Sequence, residues 1–248
     1  QWNSATPGHP ERGHTAGIEV TTGPLGQGFA NAVGLALAER HLRARFGSEL
    51  TDHHTYVIAG DGCLMEGVSH EAASLAGHQK LGRLIVVFDD NQITIDGSTD
   101  LTCTDDVPAR FRSYGWNVIE AGEIAEDCDA LEKVLLTAKS HSGAPTMIVL
   151  RTHIGFPSPE MTDKHEAHGN PFTAELVTST KKVMGIPDEP FWAPEDLVAA
   201  YRSHILSRYF GTPSRSNLGL LHVNSNSIIL LKSSFKEFDS SGLSPTSK

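Results

Sequence analysis

Two short apolar runs most constrain what this chain can fold into. Tyr56-Val57-Ile58-Ala59 leads into Gly60-Asp61-Gly62, and Leu84 to Phe88 leads into Asp89-Asp90-Asn91. Runs this short and apolar throughout, rather than alternating, are those of buried parallel strands. Between them, Glu66 to Gln79 carries Val68, Ala72, Leu75 and Ala76 at helical spacing, which predicts a helix with those residues on one face. Strand, helix and strand in this order make one parallel crossover unit. Asp61 and Asn91 then fall at the C-terminal ends of two parallel strands, the edge at which open α/β sheets bind ligands.

The residue types at that edge point to a hard cation and a phosphate. A carboxylate from Asp61, an amide oxygen from Asn91 and a backbone carbonyl form an oxygen-only set suited to magnesium, which completes its octahedron with phosphate and water. Ile93, in Gln92-Ile93-Thr94-Ile95-Asp96-Gly97, is the candidate for the carbonyl ligand. Gly60 and Gly62 allow the backbone close to a bulky anion, and the helix start offers free N–H groups. An isolated Asp-Gly is ordinarily a turn. The strand, helix and strand separating the two polar words argue instead for a magnesium-diphosphate clip.

The remaining chain repeats the alternation. Phe29 to Phe46, Asp106 to Tyr114 and Cys128 to Ser140 read as helices; Asn117 to Ala121 and Thr146 to Arg151 read as strands. The fold class is therefore α/β, a doubly wound, mostly parallel sheet flanked by helices. Two further helices are expected at Thr173 to Met184 and Pro194 to Ile205, after a long Gly/Pro/His loop from His153 to Phe172. Residues 1–205 form the expected domain. Residues 206–248, rich in Ser, Asn and Lys, are expected to be a divergent, poorly ordered tail. The first residue is not methionine, so the N-terminus is expected to be incomplete.

Composition excludes several function classes. With 39% hydrophobic and 20% charged residues over 248, the chain can bury a core as a soluble domain does. No run of apolar residues is long enough to span a membrane, and no basic-then-apolar leader is evident, so neither membrane span nor signal peptide is expected. A formal charge of −10 argues against a nucleic-acid partner and leaves an anionic cofactor dependent on magnesium and local N–H groups. Cys63, Cys103 and Cys128 show neither metal-ligand spacing nor a disulfide framework. A reducing compartment, the cytoplasm, is the expected location, and Cys63 reads as a packed side chain rather than a nucleophile.

Gly60-Asp61-Gly62 followed by Asp90-Asn91 is similar to the thiamine-diphosphate motif. The words GHPE, TTGPLGQGFANAVG, GDGCLMEG, SLAGHQKLG, DDNQITIDG and YGWNVI together resemble transketolases, from about Gly8 to about Tyr201. That resemblance implies thiamine diphosphate as cofactor and Mg2+ as its metal, with Ca2+ as a substitute. It implies two-carbon ketol transfer between sugar phosphates. Asp61, Asn91 and Ile93 would hold the metal; Gly23, Pro24, Leu25, Gly62, Glu66, Asn91 and His168 the cofactor; His9 and His168 would act on substrate. The Phe-Gly-Ser-Pro of relatives is here Phe156-Pro157-Ser158-Pro159, a stiffer loop that leaves His165 without a clear role.

In the family the glutamate that activates the aminopyrimidine lies in a second, pyrimidine-binding domain across a homodimer interface. This stretch contains neither that domain nor the family's first N-terminal histidines, so the chain alone is expected to be inactive. Related thiamine enzymes, dihydroxyacetone synthase or 1-deoxyxylulose-5-phosphate synthase, remain as alternatives, as does a non-catalytic cofactor-binding fragment. A nucleotide-binding α/β protein is disfavoured, since TTGPLGQG lacks both the P-loop ending and the dinucleotide spacing.

Overall fold

The computed structural model describes residues 5–15, 17–209, 220–221 and 227–231. Both apolar runs are strands. β1 (Thr55–Gly60) and β2 (Leu84–Asp90) pair in parallel, with Thr55 opposite Leu84 and Gly60 opposite Asp89. Helix α1 (Gln27–Phe46) precedes them and buries Phe29, Ala32, Val33 and Ala36. That is the small-residue face its sequence spacing indicates.

The crossover between the strands departs from expectation in two respects. A short helix, α2 (Asp61–Met65), starts directly after β1; Glu66 then adopts extended backbone (φ −69°, ψ 137°) before α3 (Gly67–His78) begins. The buried face of α3 is Ser69, Ala73, Ala76 and Gly77, whereas Val68 is 41% and Leu75 45% exposed. The reason is close approach. Trp116 Nε1 donates to the Ala73 carbonyl at 2.8 Å, and a Cβ on Gly77 would stand 1.9 Å from the Tyr114 carbonyl oxygen. Side-chain size, rather than hydrophobicity, selects the face that packs.

Next come α4 (Val107–Ser113), β5 (Asn117–Gly122), α5 (Cys128–Ser140) and β6 (Thr146–Arg151). Asp106 and Asp127 cap α4 and α5 by accepting from Ala109 N and Ala130 N at 2.8 and 2.9 Å. β5 and β6 pair in parallel, and the strand order is β5-β6-β2-β1-β8-β7, with β7 (Leu220–Leu221) and β8 (Ser227–Leu231) antiparallel to each other. β8 runs antiparallel to β1, so a mostly parallel sheet gains an antiparallel margin. Most of the expected tail lies outside the described residues. Within it, the helix Glu195–Tyr209 runs past the expected boundary at 205, and Ile228 to Leu231 is strand.

Alternation along β2 divides the core. Leu84, Val86 and Phe88 join Val57, Ala59, Phe29 and Ala73 in one cluster, while Ile85 packs with Ile148 and Ala138 in another. Phe29, Phe111 and Trp116 interlock within the first, the Phe111 and Trp116 rings meeting edge-on at 5.0 Å. Buried residues on both faces of one strand are what a doubly wound sheet requires.

The chain divides into two units. The first comprises Gln1–Asp89, Asp106–Leu150 and Asn217–Lys248; the second comprises Asp90–Asp105 and Arg151–Ser216. The second holds a hairpin of β3 (Ile93–Thr94) and β4 (Gly97–Ser98), the long loop with one 3-10 turn (His165–Ala167), and helices α6 (Ala174–Met184) and α7 (Glu195–Tyr209). Thr173 caps α6, accepting from Leu176 N at 3.3 Å. Among the described residues no helix is long and apolar enough to cross a membrane.

Candidate functional site

In the first unit, three sequence words separated along the chain meet. Thr22 N–H donates to the Pro10 carbonyl and Arg12 N–H to Thr21 Oγ1, both at 3.2 Å, which lays the GHPE loop along the TTGPLGQG loop. Gly23 is buried with φ +139°, and a Cβ there would stand 2.7 Å from Cγ and Nδ1 of His9. The imidazole therefore lies directly over a position only glycine can fill. Leu25, 40% exposed, rests on Gly62, where a Cβ would come within 3.2 Å of Leu25 Cδ1. A Cβ on Gly26 would fall 2.9 Å from that of Glu66. His9, Gly23, Leu25, Gly62 and Glu66 are thus neighbours, with Pro24 exposed beside them.

The turn after β1 is held from below. The Ser69 hydroxyl donates to the Cys63 carbonyl, and Arg110 Nη2 donates to the Leu64 carbonyl at 2.8 Å, so the last carbonyls of α2 are satisfied by side chains. Asp61 and Gly62 are half-buried. The space where a Cβ of Gly60 would point is open, with no atom within 4 Å.

The second unit arranges the other polar word. Asn91 Oδ1 accepts from Ile93 N at 2.9 Å, an Asx turn that fixes the amide, and the Gln92 carbonyl accepts from Thr99 N at 3.0 Å. Thr94 Oγ1 donates to the Gly97 carbonyl at 3.0 Å, closing the hairpin. The Asp90 carbonyl accepts from Thr152 N at 3.3 Å and from Arg151 Nη1 at 2.7 Å. His168 is half-buried at the end of the 3-10 turn, its N–H donating to the His165 carbonyl at 2.9 Å. His165 is exposed and sits 3.3 Å from Glu166.

Among the described residues no group of three or more His, Cys, Asp or Glu side chains could hold a metal ion. Ser69, Arg110 and Arg151 have no counterpart in the sequence reading. Their partners lie 6, 46 and 61 residues away, and a hydrogen bond to a distant carbonyl leaves no local pattern.

Residues 1–211 match the family described as transketolase, thiamine diphosphate binding domain. The chain belongs to this family. It is 52% identical over 201 residues to a transketolase of Nostoc sp., covering 80% of this chain and 30% of that protein. It is 51% identical over 207 residues to a chloroplastic transketolase of Solanum tuberosum, covering 82% and 28%. A solved Pichia stipitis transketolase in complex with sedoheptulose-7-phosphate is 45% identical with a TM-score of 0.78, covering 84% of this chain and 31% of that one. The chain therefore spans about a third of the length of the curated transketolases it matches. The match ends at 211, so β7 and β8 lie beyond the family domain.

Proposed function

We propose that this chain is the diphosphate-binding half of a thiamine-diphosphate- and Mg2+-dependent enzyme that moves a two-carbon ketol unit from a ketose phosphate to an aldose phosphate. The observation that carries the reading is the convergence of His9, Gly23, Leu25, Gly62 and Glu66 in one unit, from three separate stretches of sequence. The cofactor, when bound, supplies the carbon nucleophile and the electron sink that ketol transfer needs.

The chain's own residues bind and orient. Asp61 contributes a carboxylate oxygen, Asn91 its amide oxygen and Ile93 its carbonyl to Mg2+. An amide oxygen with two lone pairs can serve both the Ile93 N–H and a cation. The open space at Gly60 fits an anion against the backbone, and Gly23, Pro24 and Leu25 offer the apolar contact an aminopyrimidine ring takes. Gly62 and Glu66 complete the cofactor contacts. His168 donates to the diphosphate and to substrate, and His9 to a sugar hydroxyl near the reacting carbons. Turnover requires a pyrimidine-binding domain presented across a homodimer interface. The cytoplasm is the proposed location; organelle fractionation tests it, since the Solanum tuberosum relative is named chloroplastic.

Titration calorimetry of the 248-residue chain with thiamine diphosphate should show Mg2+-dependent binding, and a coupled assay with ketose and aldose phosphates should show no turnover. Asp61→Asn should weaken the Mg2+-dependent binding by roughly tenfold or more, as loss of a charged ligand does. Binding that ignores Mg2+ or survives Asp61→Asn unchanged would overturn the metal assignment; turnover by the isolated chain would overturn the need for a second domain.

A further inference from the structure

The loop that carries His168 is tied shut by a pair of side chains the reading above does not use. His153 follows β6, and its Nδ1 stands 2.9 and 3.0 Å from the two carboxylate oxygens of Asp163. Asp163 N–H donates to the Ile154 carbonyl at 2.9 Å, so the two limbs are joined by side chain and by main chain at one level. We propose that His153 and Asp163 are a positioning pair, a clasp that fixes the His168 segment for an anionic ligand. This inference rests on the diphosphate role given to His168.

Three observations distinguish the clasp from an incidental surface pair. First, Asp163 has φ +60°, a left-handed conformation that among side-chain-bearing residues Asp and Asn adopt most readily, when local hydrogen bonds hold them. Second, the limbs touch below the pair. Gly155 has φ +73°, and a Cβ there would stand 2.7 Å from the Met161 carbonyl oxygen and 3.0 Å from Ala167 Cβ. Thr162 Oγ1 donates to the Ser158 carbonyl at 2.7 Å, closing the loop between the limbs.

Third, the connection from Asp163 to His168 has no slack. Lys164 N donates to Met161 O at 3.2 Å, Ala167 N to Lys164 O at 3.0 Å and His168 N to His165 O at 2.9 Å. A displacement at Asp163 is therefore passed through a hydrogen-bonded turn to His168. The other end is fixed as well, because Thr152 N and Arg151 Nη1 both donate to the Asp90 carbonyl just before His153. With the carboxylate accepting, the proton of a neutral imidazole resides on Nδ1, which donates.

Two readouts test the pair, one of them independent of any ligand. Trypsin cleavage after the exposed Lys164 reports opening of the loop, and calorimetry reports affinity for Mg2+ with thiamine diphosphate. His153→Ala should speed cleavage and weaken binding about fivefold each, the scale of one side-chain hydrogen bond to a carboxylate, with little change in Tm. His153→Asn places an N–H donor where Nδ1 was and should restore both. Asp163→Asn, which keeps an acceptor and tolerates positive φ, should stay near the parent. Faster cleavage with unchanged affinity in His153→Ala, or failure of His153→Asn to restore affinity, overturns the positioning role. A parent chain that does not bind the cofactor at all overturns the functional reading first and this inference with it.

Discussion

At the scale of single residues, glycines decide what the candidate site can tolerate, and they do so for different reasons. Gly23 is both strained for any other residue (φ +139°) and covered by the His9 ring at 2.7 Å. Gly23→Ala should lower the unfolding free energy by about 1–3 kcal/mol and displace His9, through backbone strain and overlap together. Gly62 faces only the flexible end of Leu25 at 3.2 Å and lies within a helix. Gly62→Ala should leave stability within about 0.5 kcal/mol of the parent. It should nevertheless weaken cofactor binding, because Leu25 must shift. Urea unfolding and calorimetry on the two variants separate these outcomes: a stable Gly23→Ala, or a Gly62→Ala with parent affinity, contradicts the assignment of that glycine.

At the scale of elements, hydrophobic periodicity identified the strands and most helices but read the face of α3 only in part. Of the apolar face Val68, Ala72, Leu75 and Ala76, the helix buries Ala76 and packs Ala72 on the core but leaves the larger Val68 and Leu75 exposed, turning Ser69, Ala73 and Gly77 inward because a carbonyl of the α4–β5 connection and the Trp116 indole lie too close for anything bigger. Close packing of backbone on backbone selects against size, and a hydrophobicity pattern cannot register that. The same blindness hid the break at Glu66, whose extended backbone separates α2 from α3. The Asn91 bond to Ile93 N closes within three residues, yet the sequence reading named those residues only as candidate ligands. Bonds to remote partners, Arg110 on Leu64 and Asp163 on His153, leave no local pattern to read. Gly77→Ala should accordingly cost about 2–4 kcal/mol, since its Cβ would meet the Tyr114 carbonyl at 1.9 Å. Gly34→Ala, exposed in α1 with nothing within 4 Å, should stabilise by up to about 1 kcal/mol. Thermal and urea unfolding of the pair compare the two directly, and equal effects would refute the packing argument.

At the scale of the whole chain, stability should depend on pH through groups remote from the candidate site. His54 is buried, and burial first, then Arg83 and Lys139, hold its pKa down to about 4, below the ordinary 6.5. Above about pH 6.5 the imidazole is neutral in folded and unfolded chains alike and contributes nothing. Between about 6.5 and 4 the unfolded chain binds the proton and the folded chain does not, so stability is lost as pH falls through that window. His53, lowered by burial and Arg83, acts in the same direction. Glu39 opposes them. Burial raises its carboxyl pKa despite Arg43 and Arg83 at 3.7 and 3.6 Å, so just above its ordinary value the folded chain holds that proton more firmly and gains stability as pH falls. The overall curve mixes these signs, and the difference between the parent and His54→Gln isolates one of them. That difference in unfolding free energy should be flat above about pH 7 and slope by at most about 1.4 kcal/mol per pH unit below 6.5, one proton's worth. A difference that stays flat down to pH 4 would mean that His54 titrates alike in both states and that its burial does not govern its charge.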